Sequence, residues 1–210
     1  MRERYEGRGL LEDEAPADPV DLFAVWFVDA AGAGLPEPNA TVLATVSAQG
    51  WPQARTVLIK GYDDRGLRFF TSTSSAKGRQ LAETPRAALV FPWHGIARQV
   101  RVVGDVVRLD STEVADYFAS RPRESQLGAW ASPQSTVVGS RQELDGLLAE
   151  ATERFPAGSA VPVPPWWGGY RVRPVEWEFW AGRPGRLHDR LRYRRTDASS
   201  DAWVLERLAP

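Results

Sequence analysis

Cysteine is absent from the 210 residues, which excludes disulfides, thiolate metal sites and cysteine nucleophiles. Histidine occurs only as His94 and His188, too few for a histidine-rich metal centre. No glycine-rich phosphate loop of the P-loop or Rossmann kind is present, and no Gly-x-Ser-x-Gly elbow supports hydrolysis. Neither sign of charge is in excess. The formal net charge of -1 argues against a broad nucleic-acid surface while leaving room for a small basic pocket. The N-terminus, Met1-Arg2-Glu3-Arg4-Tyr5, opens on charges and leads into no apolar run, so it reads as neither signal peptide nor membrane anchor. The expectation is a cytoplasmic protein with no membrane and no nucleic-acid partner.

What is present suits one sizeable core. Residues 1–17 are charged and carry no hydrophobic period, so they read as a mobile arm, and residues 18–210 as a single domain. Asp18-Pro19 looks like an N-cap followed by proline at the first helical position, with Leu22, Val25 and Trp26 on one face of a helix that ends near Gly32-Ala33-Gly34. From residue 41 the texture changes to β-branched runs: 41–47, 53–62, 67–71, 87–91 and 99–109, with turns at Gln49-Gly50 and Asp63-Asp64-Arg65-Gly66. Short links between consecutive strands mean antiparallel pairing, and several such strands suggest a barrel.

Helices interrupt this pattern over residues 77–83, from Asp110 with Glu113 in capping-box spacing, and from Ser140 with Glu143 in the same relation. Leu144, Leu147, Leu148, Ala151 and Phe155 give the last of these an apolar stripe. The proline-rich stretch 156–165 reads as a connector, and strands follow over 169–172, 176–181, 187–194 and 203–208. The fold class is therefore mainly β with peripheral α-helices.

Cations recur on or beside these β-rich segments: Arg55, Lys60, Lys77, Arg121, Arg186 and Arg190. Arginine clamps a phosphate bidentately and lysine adds a point charge, so a site for phosphorylated ligands is chemically reasonable; solvated surface charge gives the same pattern. Arg55 and Lys60 fall on opposite faces of a regular strand, so serving one site requires a bulge or a long, flat, phosphate-bearing ligand. Tyr117 and Arg121, four apart on one helix, share a face with Ser125 just beyond Pro122. That trio makes a phosphate pocket, or else a core tyrosine and an arginine capping the helix C-terminus.

Several longer motifs stand in one order: Arg55 through Lys60; Phe91-Pro92-Trp93 with Arg98-Gln99-Val100; Tyr117 with Ser120-Arg121-Pro122-Arg123 and Ser125-Gln126-Leu127-Gly128-Ala129-Trp130; and Glu178-Phe179-Trp180 with Arg186-Leu187-His188-Asp189-Arg190. In these the chain resembles the pyridoxine (pyridoxamine) 5′-phosphate oxidase family over essentially its whole length. The resemblance implies an FMN-binding split β-barrel, a homodimer with shared active sites, and oxidation of pyridoxamine or pyridoxine 5′-phosphate by O₂. It assigns FMN to Arg55, Thr56, Val57, Leu58, Ile59, Lys60, Phe70, Thr71, Lys77, Gln99, Gln134, Ser135, Trp180 and Arg190, with Gln134 and Ser135 coming from the second chain. The substrate phosphate would meet Lys60, Tyr117, Arg121 and Ser125, with Arg186 and His188 as catalytic candidates at the pyridine ring and Arg2 and Tyr5 covering the bound substrate. Two positions depart from the family pattern. Phe70 replaces a common Tyr, which matters little if the backbone makes the contact. Ala76 replaces a phosphate-binding Arg, a loss that either Arg79 makes good or that Arg55 with Lys77 renders unimportant. A phenazine-type oxidase and a non-catalytic flavin- or pyridoxal-phosphate-binding module are the alternatives.

Overall fold

The computed structural model describes residues 9–196 and 202–210; Arg2 and Tyr5 lie outside the described residues. The first helix, α1 (Pro19–Gly32), starts where Asp18 accepts a hydrogen bond from the Val20 amide at 2.9 Å. Leu22, Phe23, Trp26 and Ala30 are its buried face, whereas Val25 is 58% exposed. At about 100° per residue, positions 22, 23, 26 and 30 cluster within one quadrant and position 25 falls outside it, which corrects the expected stripe. Phe23 carries the packing. Its ring meets Tyr62 and Phe91 edge-on at 4.9 and 5.0 Å and also contacts Trp93 and Trp177.

Among the described residues nine antiparallel strands form one sheet: β1 (Ala40–Val46), β2 (Pro52–Leu58), β3 (Gly61–Asp63), β4 (Gly66–Ser72), β5 (Arg86–Trp93), β6 (Arg98–Arg108), β7 (Trp167–Ala181), β8 (Asp189–Arg195) and β9 (Trp203–Arg207). The main path runs β2-β1-β5-β6-β7-β4-β3, with β8 beside β7 and β9 beside β8. Residues 169–172 and 176–181, expected as two strands, are one strand of 15 residues. Along one edge β7 pairs with β6; along the other it pairs with β4 through its first half and β8 through its second. The sheet therefore divides at β7, and the barrel is split there. The β6–β7 register shifts at Val103/Gly104, where a Cβ on Gly104 would lie 2.2 Å from the Arg173 carbonyl oxygen, so only glycine fits the bulge.

Four further α-helices lie among the described residues: α2 (Ala76–Glu83), α3 (Ser111–Ser120), α4 (Arg123–Ala131) and α5 (Arg141–Arg154). Ser75, Asp110 and Ser140 cap α2, α3 and α5, the latter two as the capping-box spacing predicts. In α5 only Ala151 of the expected stripe is buried, and Leu148 is exposed. No helix among the described residues is long and apolar enough to cross a membrane.

Residues 9–17, expected to stay clear of the core, are instead held to it. Leu10 belongs to the main core cluster, its amide donates to Asp189 at 3.1 Å, and Arg207 donates to its carbonyl at 2.7 Å. The Tyr193 hydroxyl donates to the Pro16 carbonyl at 2.9 Å. Composition hid this because main-chain groups make most of these contacts. Because Phe23 is fully buried among five other rings, Phe27 being the fifth, Phe23→Ala should cost about 3–5 kcal/mol of stability, read as a lowered denaturant midpoint at unchanged slope.

Candidate active site

The site begins at a break in the sheet. β2 stops at Leu58 and β3 starts at Gly61, and these strands are the two ends of the main path, so Ile59 and Lys60 join one end to the other. The Ile59 amide donates to the Asn39 carbonyl at 2.9 Å on the β1 side, and the Lys60 amide to the Arg68 carbonyl in β4 at 2.8 Å. A single strand over residues 53–62 is thus corrected to two. The break resets the alternation of side chains, and Arg55 and Lys60 come to line one cavity. Ile59 itself turns into the core and does not line it.

That cavity has a volume of about 590 Å³. The sheet contributes Arg55, Thr56, Val57, Leu58, Lys60, Phe70 and Thr71, and α2 contributes Lys77. The α3–α4 corner adds Tyr117, Ser120, Arg121, Pro122 and Ser125, and Gln134 and Trp167 complete the wall. Helix α4 was not expected from the sequence, because Pro122 reads as a stop; here it is the N-cap, and its carbonyl accepts from the Ser125 amide at 2.9 Å. Among the described residues four cations line the cavity and no carboxylate does.

Two groups of side chains divide it. In the first, Lys77 Nζ donates to Thr71 Oγ1 at 3.1 Å and to Gln134 Oε1 at 2.8 Å, while Arg55 donates to Thr45 Oγ1 at 2.5 Å and to Gln80 Oε1 at 3.3 Å. Burial, reinforced by the charge of Arg55, brings the Lys77 ammonium down to about 8. In the second group, burial lowers the Arg121 guanidinium, and it raises the Tyr117 phenol against the opposing pull of Arg121. Arg121 Nη1 is buried without a hydrogen-bond partner. The Phe70 ring stacks on Tyr117 at 3.8 Å and 17°, so its side chain shapes the site as well as its backbone. Unpaired cations beside neutral donors and a flat aromatic wall fit phosphorylated, planar ligands.

The remaining expected residues lie elsewhere. Gln99, Trp180 and Arg190 oppose one another across β6, β7 and β8, so they share one face of the sheet. Their neighbours Val100, Phe179 and Leu191 are fully buried, which puts the row on the face away from the core. Glu178 holds Arg190 at 2.8 Å. The His188 ring lies 4.6 Å from that of Trp180, and its Nδ1 accepts from the Arg183 amide at 3.1 Å. Arg186 is exposed with a left-handed φ of 64°. None of these five lines the cavity, whereas Gln134 lines the cavity of its own chain, contrary to the expectation that it comes from the second one. Ser135 is exposed and outside it. Arg79, one of the two expected answers to the alanine at position 76, does not line this cavity: it donates to the Ser74 carbonyl and lines a separate cavity of about 450 Å³ with Trp130 and Trp166. Sequence reasoning missed Ser120, Pro122 and Trp167 as lining residues; the paired tryptophans before Gly168-Gly169 were the available signal for the last.

Only a protonated Lys77 attracts a phosphate, and a bound dianion raises the pKa of the lysine it meets. Affinity of the ligand-free protein for a phosphate monoester should therefore rise as the ligand loses its second proton at about pH 6, level off below about pH 8 and fall above it, by at most about tenfold per pH unit. Calorimetry in buffers of different ionisation enthalpy should detect proton uptake above that pH. Lys77→Met should bind more weakly and lose the decline at high pH.

Residues 27–154 match the family described as pyridoxamine 5′-phosphate oxidase, and residues 167–210 match the C-terminal dimerisation region of pyridoxine 5′-phosphate oxidase. A pyridoxine/pyridoxamine 5′-phosphate oxidase of Frankia alni is 54% identical, covering 100% of this chain and 88% of that protein. Its counterpart in Salinibacter ruber is 51% identical, covering 100% and 97%. Among solved structures, PhzG of Burkholderia lata, in complex with tetrahydrophenazine-1-carboxylic acid, superimposes with a TM-score of 0.88 at 35% identity over 96% of this chain and 98% of that one. A pyridoxamine 5′-phosphate oxidase-related, FMN-binding protein of Nostoc punctiforme shares the fold, with a TM-score of 0.73 at 20% identity over 93% and 100%. With the split sheet and the cation-lined cavity, these matches establish that the chain belongs to the pyridoxine/pyridoxamine 5′-phosphate oxidase family.

Proposed function

We propose that the protein binds FMN and oxidises pyridoxamine and pyridoxine 5′-phosphates to pyridoxal 5′-phosphate, with O₂ reduced to H₂O₂ and ammonia released from the amine after addition of water. The observation that carries this reading is the pair of cationic groups in one cavity, suited to two phosphorylated ligands. Arg55 and Lys77, with Thr71 and Gln134, form the group for the FMN phosphate, and residues 56–58 and Phe70 give the adjoining wall. When bound, FMN supplies two-electron redox chemistry with O₂ as final acceptor.

Lys60, Tyr117, Arg121 and Ser125 form the group for the substrate phosphate. Arg121 presents planar N–H donors, Lys60 a point charge, and the two hydroxyls complete the set. Fixing the phosphate anchors the substrate away from its reacting carbon, so binding energy is spent on orientation. His188 accepts at Nδ1 from the Arg183 amide, which sets the orientation of its ring, and it is a candidate to meet the substrate's ring or hydroxyl oxygen. Arg186 is the second candidate there, with its strained backbone at an exposed turn.

These two residues, with Gln99, Trp180 and Arg190, lie outside the cavity, and four of the five fall in the region matching the family's dimerisation segment. A homodimer in which each copy completes the other's site accounts for both facts. All four substrate-phosphate residues line the cavity together, which favours a phosphorylated substrate over a phenazine-type one.

Addition of pyridoxamine 5′-phosphate to FMN-loaded protein should release H₂O₂; its absence would leave the phenazine-type oxidase and the non-catalytic module as the surviving readings. Arg121→Ala should lower kcat/KM by about ten- to a hundred-fold, the worth of a charge-assisted contact. Shared sites have a separate signature: Arg121→Ala and Arg190→Ala proteins, each lowered about tenfold or more in kcat/KM, should regain about a quarter of the wild-type kcat/KM after subunit exchange, because half of the dimers then hold one intact site. No recovery would place each site within one chain.

A further inference from the structure

The first residue of β7 occupies a place that none of the phosphate-binding assignments covers. Trp167 is set by its own amide, which donates to the Pro164 carbonyl at 2.9 Å, and by its pairing with Ser72 of β4. The indole forms the wall between the active-site cavity and a second cavity of about 490 Å³, lining both. Phe118, 1% exposed, braces it edge-on at 5.8 Å and 67°. Over this pair lies Arg121, its guanidinium carbon 4.3 Å from the Trp167 ring centre and 5.5 Å from that of Phe118.

Arg121 makes no salt bridge with any described residue and has an unpartnered Nη1. Nothing polar therefore orients it; the aromatic face does. A guanidinium stacks through its flat face and donates from its edge, so a ring beneath it fixes the plane while leaving the N–H groups for an anion. A carboxylate in the same place would orient the group but occupy those donors. Trp167 Nε1 is itself buried without a partner, so the π face, and not the indole N–H, makes the contact.

We propose that Trp167 is a positioning residue for Arg121: its indole face, braced by Phe118, holds the guanidinium plane so that its edge meets the substrate phosphate, and it thereby sets the preference for phosphorylated substrate. This rests on the reaction proposed above. Loss of a partly desolvated cation–π contact corresponds to about a five- to thirty-fold effect.

The test compares wild type, Trp167→Leu and Trp167→Phe on pyridoxamine 5′-phosphate and on unphosphorylated pyridoxamine. The leucine variant should lower kcat/KM for the phosphorylated substrate by that factor, lower kcat/KM for pyridoxamine much less, and have no further effect in an Arg121→Ala background. Phenylalanine, which keeps a π face and loses only the unpartnered N–H, should recover most of the loss. Equal damage to both substrates, a phenylalanine variant as poor as leucine, or additivity with Arg121→Ala would overturn the proposal. If leucine prevents folding, Trp167→Met replaces it. Should wild type release no peroxide, the reaction assignment fails by itself, and affinities of the same proteins for pyridoxal 5′-phosphate against pyridoxal then decide the role of Trp167.

Discussion

Two positive charges, on Arg55 and Lys77, are set close together in the half-buried wall of one cavity with no carboxylate among the described residues that line it, and much of the surrounding architecture follows from that constraint. Like charges repel, and burial withholds the water that would screen them. The protein answers with neutral acceptors. Gln134 Oε1 accepts from both Thr71 and Lys77, and Gln80 Oε1 accepts from Thr45 and Arg55 while its Nε2 donates to Gln53 at 2.8 Å. The Gln80 amide is thus held from both sides, and the cations are oriented without being neutralised. A glutamate in either place would quench the field that a phosphate needs to find.

Carboxylates are not scarce in the structure; they are used on other surfaces. Arg171, 4% exposed, is paired with Asp63 and Glu113, and Glu178, 5% exposed, with Arg101 and Arg190. Burial alone would raise the Glu178 pKa, yet the hydrogen bonds from Arg190 and Arg101 outweigh it and the net direction is down. Arg101 and Glu178 are register partners on β6 and β7, so this pair also fixes which residues oppose which on the sheet face that carries Gln99, Trp180 and Arg190. Arg190 thus differs in kind from Arg55: its charge is compensated within the chain, and what it offers is a fixed direction.

The parts of the fold legible in the sequence were those set by local chemistry. Asp18, Asp110 and Ser140 announced helix starts because capping needs only a side chain and an amide two or three residues away. Turns at residues 49–50 and 63–66 were equally local. The continuity of β7 was hidden, since Pro174 and Arg173 look like a strand end when the β6 bulge that accommodates them is unknown. Helix α4 was hidden by Pro122, which ends one helix and opens the next. The cations of the cavity and the trio of Tyr117, Arg121 and Ser125 were visible as candidates, with solvated charge as the competing reading, and the resemblance grouped them; Trp167 was missed because its contact depends on Arg121 arriving over its ring from a different element. No periodicity within one segment encodes such a meeting.

β7 also limits what a single chain can do. Trp167, at its start, lines the cavity, and Trp180, thirteen positions along, stands in the outward row with Gln99 and Arg190. A strand rises about 3.3 Å per residue, so these two tryptophans are separated by roughly 40 Å along the strand, less whatever the bulge and twist remove. A mononucleotide is far shorter than that. It cannot rest in the cavity beside Trp167 and touch Trp180 of the same β7. If both ends of the strand serve ligands, they serve different copies of the site. The split in the sheet gives this arrangement its physical basis: β4 pairs with the half of β7 that faces the chain's own cavity, and β8 with the half that carries the outward row.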